Sequence, residues 1–241
     1  MNIKFDNKVA IVTGAGGGIG KQHALEFARR GAKVVVNDLG GAVDGSGGAS
    51  DAANAVVEEI KAEGGEAIAN GSSVADKEGV SKMVAETMER WGRIDVLVNN
   101  AAGNFVTPAA AMSENAWRAV IDIVLDGTFR VSKACYPLLR KSEEGSSIVN
   151  IIANYAWGAA PFVAHSGAAK AGVLNLTRSL ALEWSNDKIR VNAMCPGVVL
   201  TDNVKKNLML DENVVKTFES NIPAGGITKK QKMPQQVLKL S

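Results

Sequence analysis

Cysteine is scarce in these 241 residues, and the two present exclude the cross-linked and metal-stapled classes of protein. Cys135 and Cys195 lie far apart, with no C-x-x-C pair and no histidine cluster. Neither a disulfide frame nor a metal site is expected, and both thiols should sit reduced in the interior. A charge excess of one sign is also missing. The net charge of +2 makes no electrostatic case for nucleic acid or an anionic membrane as partner. No apolar run reaches the length of a membrane span, and "MNIKFDNK" lacks the apolar region of a signal peptide. The ending "LKLS" is not the Ser-Lys-Leu address. A cytoplasmic location is expected. There is no internal repeat and no low-complexity linker.

What is there is ordinary for a globular enzyme: 46% apolar residues, 22% charged and 25 glycines. Such a length suits one α/β domain spanning 1–241. Short β-branched runs recur at 8–14, 32–38, 66–72, 95–101, 147–152 and 189–194. Stretches with apolar residues at helical spacing separate them, such as "GKQHALEFARR" and "GVSKMVAETMERW". Nearly continuous apolar strands alternating with helices predict a doubly wound parallel sheet covered on both faces. The Gly-rich loop 39–50 is expected to be mobile. A further helix should begin at "MPQQVLKLS", and the sheet is expected to lack a last strand, through truncation or a shorter sheet.

"VAIVTGAGGGIGKQHALEFARRG" reads as strand, Gly-rich turn and helix in order. Glycines in such a turn let backbone N–H groups approach a pyrophosphate, which the helix N-terminus favours electrostatically. The spacing assigns Gly14, Gly18 and Gly20 to that role, with Ile19 beside them. Asp38 ends the second strand, where a carboxylate accepts hydrogen bonds from a ribose 2′-hydroxyl and repels a 2′-phosphate. No Arg or Lys lies within "TGAGGGIG" or just after Asp38. NAD(H) is therefore the expected cofactor, with NADP(H) left open. The competing reading has Asp38 capping the turn in "NDLGG".

Together the T-G-x-x-x-G-x-G turn, "NNAAG" at 99–103, the lysine of "AAKAG" and "PG" at 196–197 resemble the short-chain dehydrogenase/reductase family, a Rossmann-type fold. The resemblance implies that Asn99, Asn100 and Ala101 border the adenosine side of the cofactor. It places Ser73 and Val74 at the adenine, and Pro196, Gly197, Val198 and Thr201 at the nicotinamide. Lys170 would hold the nicotinamide ribose. The helices at 113–140 and 166–184 would pair copies into a homo-oligomer, a dimer or a tetramer.

Most of that family reads Tyr-x-x-x-Lys, with a Ser at the end of the fifth strand. Here Ser166 stands at the tyrosine position and Ala153 at the serine position. Tyr155 follows the fifth strand at the carboxyl edge of the sheet, where open α/β folds bind ligands. Ser166 and Lys170, at i and i+4, share one helix face. This arrangement resembles the 2,4-dienoyl-CoA reductases, and "AHSGAAKAGVLNLTRSLALEW" also resembles peroxisomal trans-2-enoyl-CoA reductases. The implied reaction reduces a conjugated C=C bond of an acyl-CoA thioester, with Tyr155, Ser166 and Lys170 as catalytic residues. In such a reaction the proton ends on carbon. The carbonyl oxygen then needs hydrogen-bond donors more than an acid.

The first hundred residues, with "VVVNDLGG", resemble instead the NAD-linked 3-hydroxyacyl-CoA dehydrogenase domains of multifunctional β-oxidation enzymes. The two resemblances meet near "NNAAG", as in an unusual lineage or a recombinant. Two alternatives therefore stand beside the reductase: a 3-hydroxyacyl-CoA dehydrogenase or carbonyl reductase with Tyr155 as acid, and a dinucleotide-binding protein without turnover. Asp126, where mitochondrial-type dienoyl-CoA reductases carry Asn, would oppose an enolate if ionised and facing it. His165 is expected to be a structural hydrogen-bonder more than an acid, and His23 structural. Trp157 lines an acyl cleft or covers the core. Trp117 and Trp184 are expected at packing or interface positions. Lys205, Lys206, Lys229, Lys230 and Lys232 form a solvated face or meet CoA phosphates.

Overall fold

The computed structural model describes residues 3–40, 51–197, 199 and 234–241. Its six strands run parallel in the order β3-β2-β1-β4-β5-β6. They are β1 (Val9–Thr13), β2 (Lys33–Asn37), β3 (Glu66–Asn70), β4 (Val96–Asn99), β5 (Ser146–Ile151) and β6 (Ile189–Met194). Each lies inside or within a residue of an expected run, because β-branched residues covered on both faces leave little else to form. The direction of strand addition reverses between β1 and β4, which opens a crevice at their carboxyl ends.

Alternate residues of each strand feed two cores. Val12, Val34, Val36 and Val98 pack with Phe27 of α1 (Gly18–Arg29) and Val56 of α2 (Asp51–Ala62). Ile11, Val35, Leu97 and Ile148 face Met83 of α3 (Lys77–Trp91), Val131 of α5 (Gly127–Leu139) and Leu180 of α6 (Ala164–Glu183). The expected last helix is present as α7 (Pro234–Leu240), with Pro at its first position and Val237 and Leu238 buried in the first core.

One expected helix is not continuous. Residues 113–140 form α4 (Glu114–Ile121), a π-helical stretch (Asp122–Asp126) and α5. Such wide turns concentrate at functional sites. A third apolar cluster, with Val120, Val124, Ile152, Ala156, Ala169 and Val173, binds this stretch to β5 and α6.

A chain of buried amides crosses the sheet. Asn99 Nδ2 donates to Ser132 Oγ (3.0 Å) and to Asn150 Oδ1 (2.8 Å), and Asn150 Nδ2 donates to Thr177 Oγ1 (2.9 Å). The chain ties β4, β5, α5 and α6 together, and the last carries Ser166 and Lys170. Asn150→Ala should leave two buried groups short of a partner and cost about 2 kcal/mol. Urea unfolding of the two proteins would read this as a lower midpoint at unchanged slope.

Candidate active site

The carboxyl edge of the sheet gathers most of the expected residues. Thr13 ends β1, and its Oγ1 accepts the backbone N–H groups of Asn100 and Ala101, both at 3.0 Å. Asn100 Nδ2 returns hydrogen bonds to the carbonyls of Thr13 and Gly14, both at 3.0 Å. The glycine turn is thus pinned to the end of β4. Gly14 has φ +62°, and a Cβ there would lie 2.8 Å from Ala101 Cα. A Cβ on Gly20 would overlap the Gly14 carbonyl and the Asn100 amide. Side chains cannot replace hydrogen at either position.

Helix α1 starts beyond this turn with no side-chain cap at Gly17 and no acidic residue in its first turn. Space at Gly17 is open, with nothing within 4 Å of where a Cβ would be. Uncapped N–H groups at the positive end of a helix, beside glycines that admit close approach, fit a pyrophosphate. Asp38 stands next to them. Its Oδ2 accepts from Gly16 N and its Oδ1 from Gly40 N, both at 2.8 Å. The capping reading of Asp38 is therefore realised, and the carboxylate lies beside the turn as the ribose reading requires.

Ser73 and Val74 follow β3. Ser73 Oγ accepts Ala75 N at 3.2 Å, and Val74 is buried. Asn99, expected at the adenosine, has its amide nitrogen committed to Ser132 and Asn150 inside the protein. Pro196 is half-buried and Gly197 exposed just past β6. Val198, Thr201, the loop 41–50 and the five C-terminal lysines lie outside the described residues.

At the end of β5 a 3-10 turn, Asn154–Ala156, carries Tyr155 back over the first turn of α6. Its hydroxyl lies 3.2 Å from Ser166 Oγ, and Ser166 is 1% exposed. Lys170, one turn further along α6, is buried and donates to the Ile151 carbonyl. Burial lowers its pKa from 10.5 to about 8, with nearby Cys195 offsetting part of the fall. Cys195 is half-buried and not interior as expected, while Cys135 is buried and its thiol is pushed up to about 12. Asp126 closes the π-helical stretch.

His165 is fully buried, edge-on to Phe105 with ring centroids 4.4 Å apart. Neither ring nitrogen has a hydrogen bond of good geometry among the described residues. Burial holds its pKa below the usual imidazole value, the nearby Val163 backbone offsetting part of the effect. Its ring packs in the interior against Phe105, and no catalytic partner touches it among the described residues. His23, also buried, is lowered to about 4. Trp157 is exposed, Trp117 lies at the surface of α4, and Trp184 packs on Tyr136 with centroids 4.7 Å apart. An open cleft of ≈ 590 Å³ lies at the opposite, amino-terminal edge, where Lys8 pairs with Glu144 and Arg93 with Asp95. It brings together none of the expected site residues.

Gly20→Ala is expected to weaken NADH binding about tenfold or more, since the turn must open to admit the methyl group. Fluorescence titration with NADH would measure it, beside a melting curve to separate unfolding from lost affinity.

A family model described as short chain dehydrogenase matches residues 8–210. A probable 2,4-dienoyl-CoA reductase [(2E)-enoyl-CoA-producing] of Bacillus subtilis (strain 168) is 38% identical over 222 residues. That alignment covers 92% of this chain and 84% of the relative, so the likeness is not confined to the second half. A peroxisomal hydratase-dehydrogenase-epimerase of Saccharomyces cerevisiae is 42% identical over 200 residues, covering 81% of this chain but 21% of that longer protein. Among solved structures, a 7 alpha-hydroxysteroid dehydrogenase complexed with NADH and 7-oxo glycochenodeoxycholic acid superposes with a TM-score of 0.90. It is 30% identical, over 99% of this chain and 89% of its own. Together with the six-stranded sheet and its glycine turn, these likenesses place the chain in the short-chain dehydrogenase family of oxidoreductases.

Proposed function

We propose that this chain reduces a conjugated C=C bond of an enoyl- or 2,4-dienoyl-CoA thioester. The approach of the Tyr155 and Ser166 hydroxyls carries the reading. Two hydroxyls from different elements lie 3.2 Å apart, and no phenol occupies position 166. The name and coverage of the Bacillus relative support it. The yeast relative, named as a hydratase-dehydrogenase-epimerase, supports the oxidoreductase class.

A nicotinamide dinucleotide, when bound, supplies the hydride; Asp38 favours NAD(H) over NADP(H). Hydride addition to the far carbon of the conjugated system moves charge onto the thioester oxygen. Tyr155 and Ser166 donate hydrogen bonds to that oxygen, and Lys170 contributes positive charge from the helix beneath. The proton that completes reduction comes from solvent water and goes to carbon. The hydroxyls thus stabilise charge and give up no proton, which explains how the site tolerates a serine at 166. Trp117, Phe129 and Leu182 expose apolar surface on α4, α5 and α6, as pairing of copies through these helices requires.

Tyr155→Phe and Ser166→Ala should each cost roughly 3 kcal/mol of transition-state stabilisation, about 100-fold in kcat. The double variant should be nearly inactive. Oxidation of NADH with 2,4-hexadienoyl-CoA measures both, and full activity of the double variant refutes the reading. A second reading, a 3-hydroxyacyl-CoA dehydrogenase with Tyr155 as acid, draws on the yeast relative; turnover of acetoacetyl-CoA without hexadienoyl-CoA selects it.

The lysine makes a separate prediction. With its pKa lowered to about 8, Lys170 is cationic below that pH and neutral above it. The kcat/KM for reduction should fall as pH rises through about 8. Lys170→Met should lose most activity and the lysine's contribution to that descending limb, as initial rates from pH 6 to 9.5 will show.

A further inference from the structure

The loop 72–76, where the proposed cofactor site would meet the adenine, is held by two kinds of contact. Its own neighbours along the sheet supply the first. Asn37 Nδ2 donates to the Ser72 carbonyl at 2.8 Å, and Asn70 Oδ1 accepts Ser72 N at 3.1 Å. Both contacts stop at residue 72. Val74, two residues on, is held from a distant element. Arg130 Nη1, on α5, donates to the Val74 carbonyl at 2.7 Å. The Val74 side chain lies over Gly127, one turn back on the same helix, where a Cβ would come within 2.9 Å of Val74 Cγ2. Arg130 is partly buried, and among the described residues no carboxylate pairs with its guanidinium. Its cation is given to a backbone carbonyl, a short charge-assisted bond.

We propose that Arg130 is a positioning residue for the dinucleotide: through the Val74 carbonyl it sets the adenine wall of the cofactor site from helix α5. The proposal rests on the dinucleotide reading of the 72–74 loop. Arg130 touches neither cofactor nor substrate, so it acts on affinity and leaves the chemical step alone. A bond of this class contributes about a factor of ten to an equilibrium. Gly127 acts on the same peptide from the side-chain face, since any larger residue would push Val74 away from α5.

Arg130→Met keeps the aliphatic stem and removes the donor; Arg130→Lys keeps one charged donor. NADH dissociation constants from fluorescence, KM and kcat for NADH oxidation, and melting temperatures are measured for wild type and variants. Arg130→Met should raise the NADH Kd and KM about tenfold, with kcat at saturating NADH within about twofold. Arg130→Lys should recover most of the affinity. Gly127→Ala should shift Kd in the same direction, and it carries the test if Arg130→Met does not fold. A lower melting temperature with unchanged Kd, or a fall in kcat with unchanged Kd, overturns the proposal. Failure of wild type to bind either NADH or NADPH overturns the dinucleotide reading itself, and the positioning role with it.

Discussion

One hydroxyl joins the two halves of the molecule. Thr13 Oγ1 accepts two backbone N–H groups from the segment after β4 and approaches the Val98 carbonyl at 3.4 Å, so both its acceptor sites and its donor are used. Asn100 closes the same junction from the other side, reaching the Thr13 and Gly14 carbonyls. The contact falls where strand order reverses and the two sets of strands would otherwise diverge. The close fit at Gly14 and Gly20 follows from it, because the turn is compressed between α1 and the end of β4. A looser junction would leave room for side chains in the turn and deprive an anion of its N–H groups.

A second polar junction lies deeper and serves the other half of the site. Asn150, near the carboxyl end of β5, accepts from Asn99 and donates to Thr177. These are fully buried groups in a medium where an unmade hydrogen bond is costly, so the network locks helix α6 to the sheet at one rotation and height. Ser166 and Lys170 stand on the same helix as Thr177, two to three turns before it. Their distance from the glycine turn is therefore set through Asn99 and Asn150, residues that need never touch substrate.

How much of this was legible differs by residue. The strands were, because runs such as "VAIVT" and "KVVVN" are unbroken and covered on both faces. The glycine turn was, because spacing between strand and helix is itself the mechanism. The meeting of Tyr155 and Ser166 was legible only as a shared edge of the sheet, since the 3-10 turn that folds the phenol back has no signature in "NYA". The inward turn of the Asn99 amide has no signature, because an asparagine at a strand end carries no mark of which side it faces. Arg130 and Val74 are separated by 56 residues, and a charged side chain bonding a backbone carbonyl leaves no pattern in either segment. The π-helical stretch was hidden because "DIVLDGTF" keeps apolar residues at spacings that serve either kind of helix.

The hydroxyl pair also sets which sequences lie one step away. Ser166 is 1% exposed and its Oγ meets the Tyr155 hydroxyl at 3.2 Å, so a thioester oxygen reaches both only where the two hydroxyls part to receive it. A tyrosine at 166 would need a phenyl ring's volume where another phenol already sits, and overfilling a packed site costs about 1–3 kcal/mol even when neighbours relax. The more common Tyr-x-x-x-Lys pattern is thus not reached by exchanging Ser166 alone. Tyr155 and the turn that carries it would have to withdraw in the same step. More than one exchange in sequence therefore separates the two arrangements.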